Sequence, residues 1–191
     1  MDFTAFLLYC VIVTFTPGPT NIVILSTVHN KGTKKALEYT YGATIAFGLL
    51  LVLSAMLNSM LIEVIPKIII GMQILGSFYM FYLAYQLYKA DSSKENVEHS
   101  ASFKSGFLMQ FLNPKVVLFT ITVIPSFILP NYTQLPAITM GVIVITIIGF
   151  LAFITWVLFG TIFKRFLQRH KKIVNILMAI FLAYSGIMNW M

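Results

Sequence analysis

The chain has 191 residues, of which 59% are hydrophobic and 10% charged, and its net charge is +7. A soluble domain carries about 25% charged residues, and so few charges cannot cover the outside of so apolar a chain. Composition therefore excludes an ordinary soluble domain and leaves lipid as the natural solvent, with length for one membrane domain over 1–191 and little more.

Six runs satisfy the rule of roughly 20 apolar residues per membrane span. The first, 3–28, contains no charge. It follows Met1-Asp2 without a basic leader and is longer than the apolar core of a signal peptide, so it predicts a retained helix. Its single cysteine, Cys10, has no partner for an intramolecular disulfide and is expected to pack as a small apolar residue. The second and third runs are 39–62 and 68–88. A polar segment of mixed charge, 90–103, reads as a solvated linker and divides the chain into halves at about 1–89 and 104–191. The fourth run, 105–129, is interrupted by one charge, Lys115. Asn131 to Gln134, between Pro130 and Pro136, predicts the turn that separates it from the fifth run, 136–163; the sixth is 173–191.

The positive charge resembles a nucleic-acid signal until the charges are placed. Eleven of the thirteen basic residues lie in three alternate loops: Lys31, Lys34 and Lys35; Lys89, Lys94 and Lys104; and Lys164, Arg165, Arg169, Lys171 and Lys172. The positive-inside rule puts those loops in the cytoplasm and both termini outside. The charges then serve topology, and no nucleic acid is expected as a partner. His29, His99 and His170 fall in the same cytoplasmic loops without clustering, so no metal site is expected.

Two interruptions remain inside the spans. Phe15-Thr16-Pro17-Gly18-Pro19-Thr20-Asn21 breaks the first, and Gln110-Phe111-Leu112-Asn113-Pro114-Lys115 breaks the fourth. Proline removes a backbone donor and displaces the preceding turn. Irregular backbone at membrane depth is tolerated only inside protein or beside a water-lined cavity. Each interruption alone is equally compatible with a plain kink or a helix start with a snorkelling lysine. Their matched placement says more. Each lies in the first helix of a three-helix half, and an odd number of spans per half inverts the second half relative to the first. Paired broken helices in inverted repeats point to a transporter's midplane site. The expected fold is all-α and integral to the membrane: six helices as two three-helix inverted repeats with broken first helices. Thr16, Pro17, Gly18, Pro19, Asn21, Gln110, Asn113, Pro114 and Lys115 are the candidate substrate-binding residues. Free carbonyls would take an ammonium and free amides a carboxylate, which suits a zwitterion.

These residues carry a family resemblance. Thr16-Pro17-Gly18-Pro19 resembles the most recognisable motif of the lysine-exporter (LysE/RhtB) family of bacterial amino-acid exporters. Phe103 to Lys115 is similar to that family's Gly-Phe then Asn-Pro-Lys stretch. Gly76-Ser77-Phe78-Tyr79 with Leu83-Ala84-Tyr85, and Asn175 with Gly186, resemble its third- and sixth-helix patterns. The likeness covers the whole chain. It implies six transmembrane helices and proton-driven efflux of amino acids, and Pro17 to Ile22 looks most like the branch that exports cysteine and O-acetylserine; a homoserine or threonine substrate fits the same resemblance. One departure stands out: Asp2, Glu38 and Glu63 lie near span ends and the other acids in the linker, so no carboxylate lies deep in a span. A proton antiporter ordinarily needs an intramembrane acid or histidine. Lys115 could exchange a proton, hold a substrate carboxylate, or only snorkel.

Smaller signals stay open at this level. Gly42 with Ala46, and Ala179 with Ala183, have the spacing of close helix packing, within the chain or in a homodimer. Trp156 packs or faces a cavity. No Walker loop is present, so the chain does not hydrolyse ATP. A membrane redox or enzyme component would need paired thiols or clustered acids and histidines, which the sequence lacks, and no cofactor is expected. An accessory membrane subunit would not need two matched polar breaks.

Overall fold

The structure is a computed structural model, and it describes residues 2–89, 102–188 and 190. The first helix, α1 (Phe3–Phe15), starts on the Asp2 carboxylate, which accepts from the amides of Thr4 and Ala5 at 3.0 and 3.1 Å. Pro17 and Gly18 end it. Pro19 then opens α2 (Pro19–Lys31) at the first helical position, where its missing N–H costs nothing. The two axes meet at 47°.

A polar loop was expected around His29 to Glu38. Instead α2 runs through Lys31, and α3 (Thr33–Met56) begins two residues later. Gly32 alone makes the turn, at φ 88°, where a side chain would be strained, and its N–H reaches the carbonyls of Thr27 and Val28 at 3.0 and 3.1 Å. His29 is therefore not in a loop. It lies in the last turn of α2, 5% exposed, which corrects the sequence expectation.

α4 (Asn58–Lys89) contains the third expected run. Its 32 residues rise about 48 Å, more than the roughly 30 Å of a hydrocarbon core. The expected linker and His99 lie outside the described residues. Ser102 caps α5 (Phe103–Leu112) reciprocally with Ser105. Asn113 separates α5 from α6 (Pro114–Val123), with a bend of 68°. A π-helical turn, Ile124–Ile128, follows where Pro125 lacks its donor. The predicted turn before residue 135 is present, and α7 (Leu135–Ile162) follows. The basic segment is a short helix, α8 (Lys164–Arg169), rather than a plain loop, and leads into α9 (Lys171–Met188).

All regular structure among the described residues is helical. Among the described residues, α3, α7 and α9 are each long and apolar enough to cross a membrane, and the two bent pairs, each counted as one span, bring the number there to five. The molecule is a multi-pass helical membrane protein.

α2 sits at the centre. Every residue from Pro19 to His29 is buried. α3, α5, α7, α8 and α9 pack around it, α3 lies along α5 and α7, α4 along α9, and α1 along α7. Two apolar clusters fill the interior. One surrounds the C-terminal part of α2 and includes Val28, Leu83, Val157, Met178 and Leu182. The other includes Phe6, Cys10, Phe47, Phe119 and Val123, and here Cys10 packs as a small apolar residue.

The small-residue pairs are used within the chain. A Cβ on Gly42 would overlap the Phe103 carbonyl oxygen, and one on Gly106 would overlap that of Tyr39, so the backbones of α3 and α5 touch. Ala46 is fully buried, and Ala179 and Ala183 belong to the cluster around α2. Gly42→Ala and Gly106→Ala are expected to destabilise the detergent-purified protein by at least the about 1–3 kcal/mol of an overpacked core. Gly71→Ala, with nothing within 4 Å of the added carbon, should melt no lower than the native chain.

Candidate functional site

The site follows from what proline removes. Pro17 and Pro19 bring no N–H, so the carbonyls of Val13 and Phe15 lose their helical donors. Thr16 (φ −58°, ψ 135°) and Gly18 (φ −159°, ψ 175°) are extended, which also takes the Thr14 and Thr16 carbonyls out of the ladder. The ladder resumes where the Ile22 amide donates to the Gly18 carbonyl at 3.0 Å.

Side chains supply the missing donors. Asn21 Nδ2 donates to the carbonyls of Thr14 and Thr16 at 3.2 and 3.1 Å. Trp156 Nε1, from α7, donates to the Phe15 carbonyl at 3.3 Å. Lys115 Nζ, from the second break, donates to the Thr16 carbonyl at 3.0 Å. Trp156 thus does what neither plain packing nor cavity lining foresaw: its indole N–H secures the first break.

The second break is built differently. Asn113 Oδ1 caps α6 by accepting from the Lys115 amide at 3.2 Å, and Pro114 occupies the first helical position. Asn113 Nδ2 and Gln110 Nε2 both donate to Thr20 Oγ1, at 3.1 and 3.2 Å. Gly76 of α4 lies so near the Leu112 carbonyl that a Cβ would overlap it, so α4 backs this break.

A cavity lies between the breaks. Thr14, Gly18, Thr20, Asn21, Asn113 and Lys115 give it polar character, and Val13, Phe47, Val116, Phe119, Gly149 and Phe153 form its apolar wall. It offers about 40 Å³ to solvent centres, room for a few waters. Lys115 is its sole charged lining residue. The α2 and α6 N-termini open beside it and add their positive dipole ends. Lys115 has three N–H groups, of which one is engaged. On the acceptor side, Asn21 Oδ1 is buried without a hydrogen-bond partner, as is Gln110 Oε1 behind Thr20. No group of three metal-ligating side chains occurs among the described residues.

Of the residues singled out in the sequence, Gly18, Asn21, Asn113 and Lys115 line the cavity. Gln110 is fully buried one step behind it. Pro19 and Pro114 are buried first-turn prolines, whereas Pro17 and the Thr16 side chain are exposed, and Thr16 Oγ1 folds back onto the Ile12 carbonyl. Thr20, Trp156 and the aromatic wall were missed. Thr20 stands in the motif itself, but its role depends on two amides 90 and 93 residues away. Thr20→Val should leave the Asn113 amide without its acceptor, with Gln110 keeping only its 3.4 Å bond to the Gly106 carbonyl, and lower stability by about 1–3 kcal/mol, while Thr20→Ser should retain it, as read by thermal unfolding.

The LysE type translocator family matches residues 11–188 and so contains both breaks. A cysteine/O-acetylserine efflux protein of Escherichia coli (strain K12) is 27% identical over 186 residues, 96% of this chain and 95% of the relative. One of Salmonella choleraesuis (strain SC-B67) is 29% identical over 188 residues, 98% and 96% of the two chains. No solved structure matches. With two prolyl breaks joined through Thr20 and Lys115, and a family match over nearly its full length, this chain belongs to the LysE type translocator family.

Proposed function

We propose that the chain exports a small, neutral amino acid or derivative of the cysteine, O-acetylserine, homoserine or threonine type across the bacterial inner membrane, against the inward flow of protons. The observation that carries this reading is the Lys115 ammonium set between the two breaks, with spare donors on one side and the unpartnered Asn21 oxygen on the other. A zwitterion meets both needs. Its carboxylate pairs with Lys115 and the two helix N-termini, and its ammonium takes the carbonyl and amide oxygens of the first break. The substrates for which the relatives are named, cysteine and O-acetylserine, have this chemistry.

The reading includes six spans as an inverted repeat. The packing supports an exchange of halves: α1 lies on α7 as α5 lies on α3, and α2 touches α9 as α6 touches α4. With 11 basic residues in alternate loops, both termini are outside. A reporter fused after Met191 should be active only on the periplasmic side; activity only in the cytoplasm rejects this orientation.

Transport tests the site. In inverted vesicles Lys115→Met should weaken the apparent affinity for O-acetylserine about 10- to 100-fold, the worth of a charged hydrogen bond. Asn113→Leu should lose transport at normal membrane levels, and Gly18→Leu should fail by filling the space beside the Lys115 side chain, 3.3 Å from a Cβ there. Lys172→Met, in the exposed basic segment, is the control and should transport normally. Native rates and affinity in both Lys115→Met and Asn113→Leu would move the site elsewhere.

A further inference from the structure

α2 is wholly buried from Pro19 to His29, yet it carries Thr20, Asn21, Ser26, Thr27 and His29. The first two belong to the breaks. Thr27 Oγ1 donates to the Val23 carbonyl at 2.7 Å, and Ser26 Oγ accepts from Asn30 Nδ2 at 3.3 Å. His29 differs from these. Its side chain is buried, and neither Nδ1 nor Nε2 has a hydrogen-bond partner. An unpartnered imidazole is an expensive way to fill apolar space that a leucine would fill without penalty.

The same condition recurs across the seam between α2 and α9. Lys171 lies within electrostatic reach of His29. Asn175, one turn farther along the same face of α9, is 1% exposed, and both its amide atoms are unpartnered. An imidazole at the end of α2 and an amide on α9, which packs against that helix, thus each have a donor and an acceptor unmet, and His29 lies about 12 Å of helix rise beyond Asn21.

The groups around this seam are few. On α9 they are Lys171, Lys172 and the exposed Tyr184, between α8 and α9 the exposed His170, on α8 the exposed Arg165 and Arg169, and on α5 the exposed Lys104. α3 carries the exposed Lys34, the Lys35–Glu38 ion pair at 2.7 Å, the exposed Tyr41, and Tyr39, whose buried hydroxyl is unpartnered. α7 has no titratable side chain, and α2 itself adds Lys31. Among the described side chains no carboxylate is buried, and His29 is the single buried group that ordinarily changes charge near neutral pH.

Proton-driven export needs a group inside the membrane that takes a proton from one side and releases it to the other. We propose that His29 is this proton carrier, with Asn175 across the seam as the polar partner of its charged form. A ring nitrogen lone pair accepts one proton that entered from outside, and the imidazolium returns the same proton to the cytoplasm, once per exported molecule. Ser26 and Thr27 are the polar residues of α2 between this station and the cavity-lining Thr20 and Asn21. The inference rests on the proton-driven reading above, and two assays separate them.

In inverted vesicles, labelled O-acetylserine is followed as accumulation driven by an acid interior, and as exchange against preloaded O-acetylserine without a gradient. The native chain should do both, and an uncoupler should abolish accumulation alone. His29→Gln and His29→Asn should lose accumulation and keep exchange, with exchange no longer dependent on pH across the neutral range. Continued accumulation in these variants overturns the role of His29 and leaves proton-driven export standing. Native accumulation that survives the uncoupler overturns both. Loss of exchange as well, in variants that melt normally, overturns it in favour of a role in substrate passage. A measurement on the native chain alone guards against unstable variants: adding O-acetylserine to the purified protein in weak buffer should release protons, and the absence of release rejects the proposal.

Discussion

Unpaired carbonyls in lipid organise this molecule. Two prolines in three residues strip donors from the end of α1, at a depth where water does not supply replacements. The donors come from three separate elements: Asn21 on α2, Trp156 on α7 and Lys115 on α6. Satisfying one break therefore ties both halves of the chain together. Thr20 completes the link by accepting from Gln110 and Asn113, so the second break is held by the first. The cavity is what remains between two broken helices that must stay adjacent.

The cavity also sits where the two apolar clusters meet. Phe47 and Phe119 of its wall belong to one, and Phe153 belongs to the other. On the side of α1, stacked rings close it: Tyr9 lies 5.6 Å from Phe119 and 5.4 Å from Phe127, and Phe47 lies 5.9 Å from Phe119. On the side of the α2 C-terminus, Val28, Leu83, Val157 and Leu182 close it. Passage to either side means parting one cluster while the other holds. Some contacts are too close to part gradually. α3 and α5 touch backbone to backbone at Gly42 and Gly106, and α4 and α9 are joined where Ser77 Oγ donates to the Gly186 carbonyl at 2.7 Å. These contacts hold α3 against α5 and α4 against α9.

The breaks were legible in the sequence because proline acts locally: the residue types alone say that the ladder fails at 17–19 and at 114. The partners were not legible. Lys115 and the Thr16 carbonyl are 99 residues apart, and which carbonyl a snorkelling lysine finds depends on how the halves dock. Trp156 illustrates the same limit, since an indole in an apolar run carries no mark of what its N–H will meet. His29 was misplaced for a different reason. A histidine next to Asn30-Lys31-Gly32 reads as loop, but Gly32 can turn the chain by itself at positive φ, and this extends α2 by a full turn and draws the ring inside. The spans were easier, because long uncharged runs leave the backbone no alternative to helix in lipid.

If the cavity holds the substrate as proposed, its charge would narrow that substrate beyond a zwitterionic core. Its lining contains one cation and no carboxylate, and the wall facing away from the breaks is valine, phenylalanine and Gly149. A lysine or arginine side chain entering there would bury a second positive charge beside Lys115 with nothing to pair it, a cost that tight packing does not recover. An acidic side chain would find its countercharge already taken by the α-carboxylate. A hydroxyl, a thiol or an acetyl ester brings no formal charge, and the polar edge formed by Thr14 and Thr20 can meet its hydrogen-bonding need. Gly149 matters to size as well as charge: a Cβ there would overlap the Phe47 ring, so this ring and the α7 backbone already define the narrowest part of the wall. On the proposed function, the same cation that would attract the carboxylate would exclude the basic amino acids, and small neutral side chains are what the apolar wall would accept.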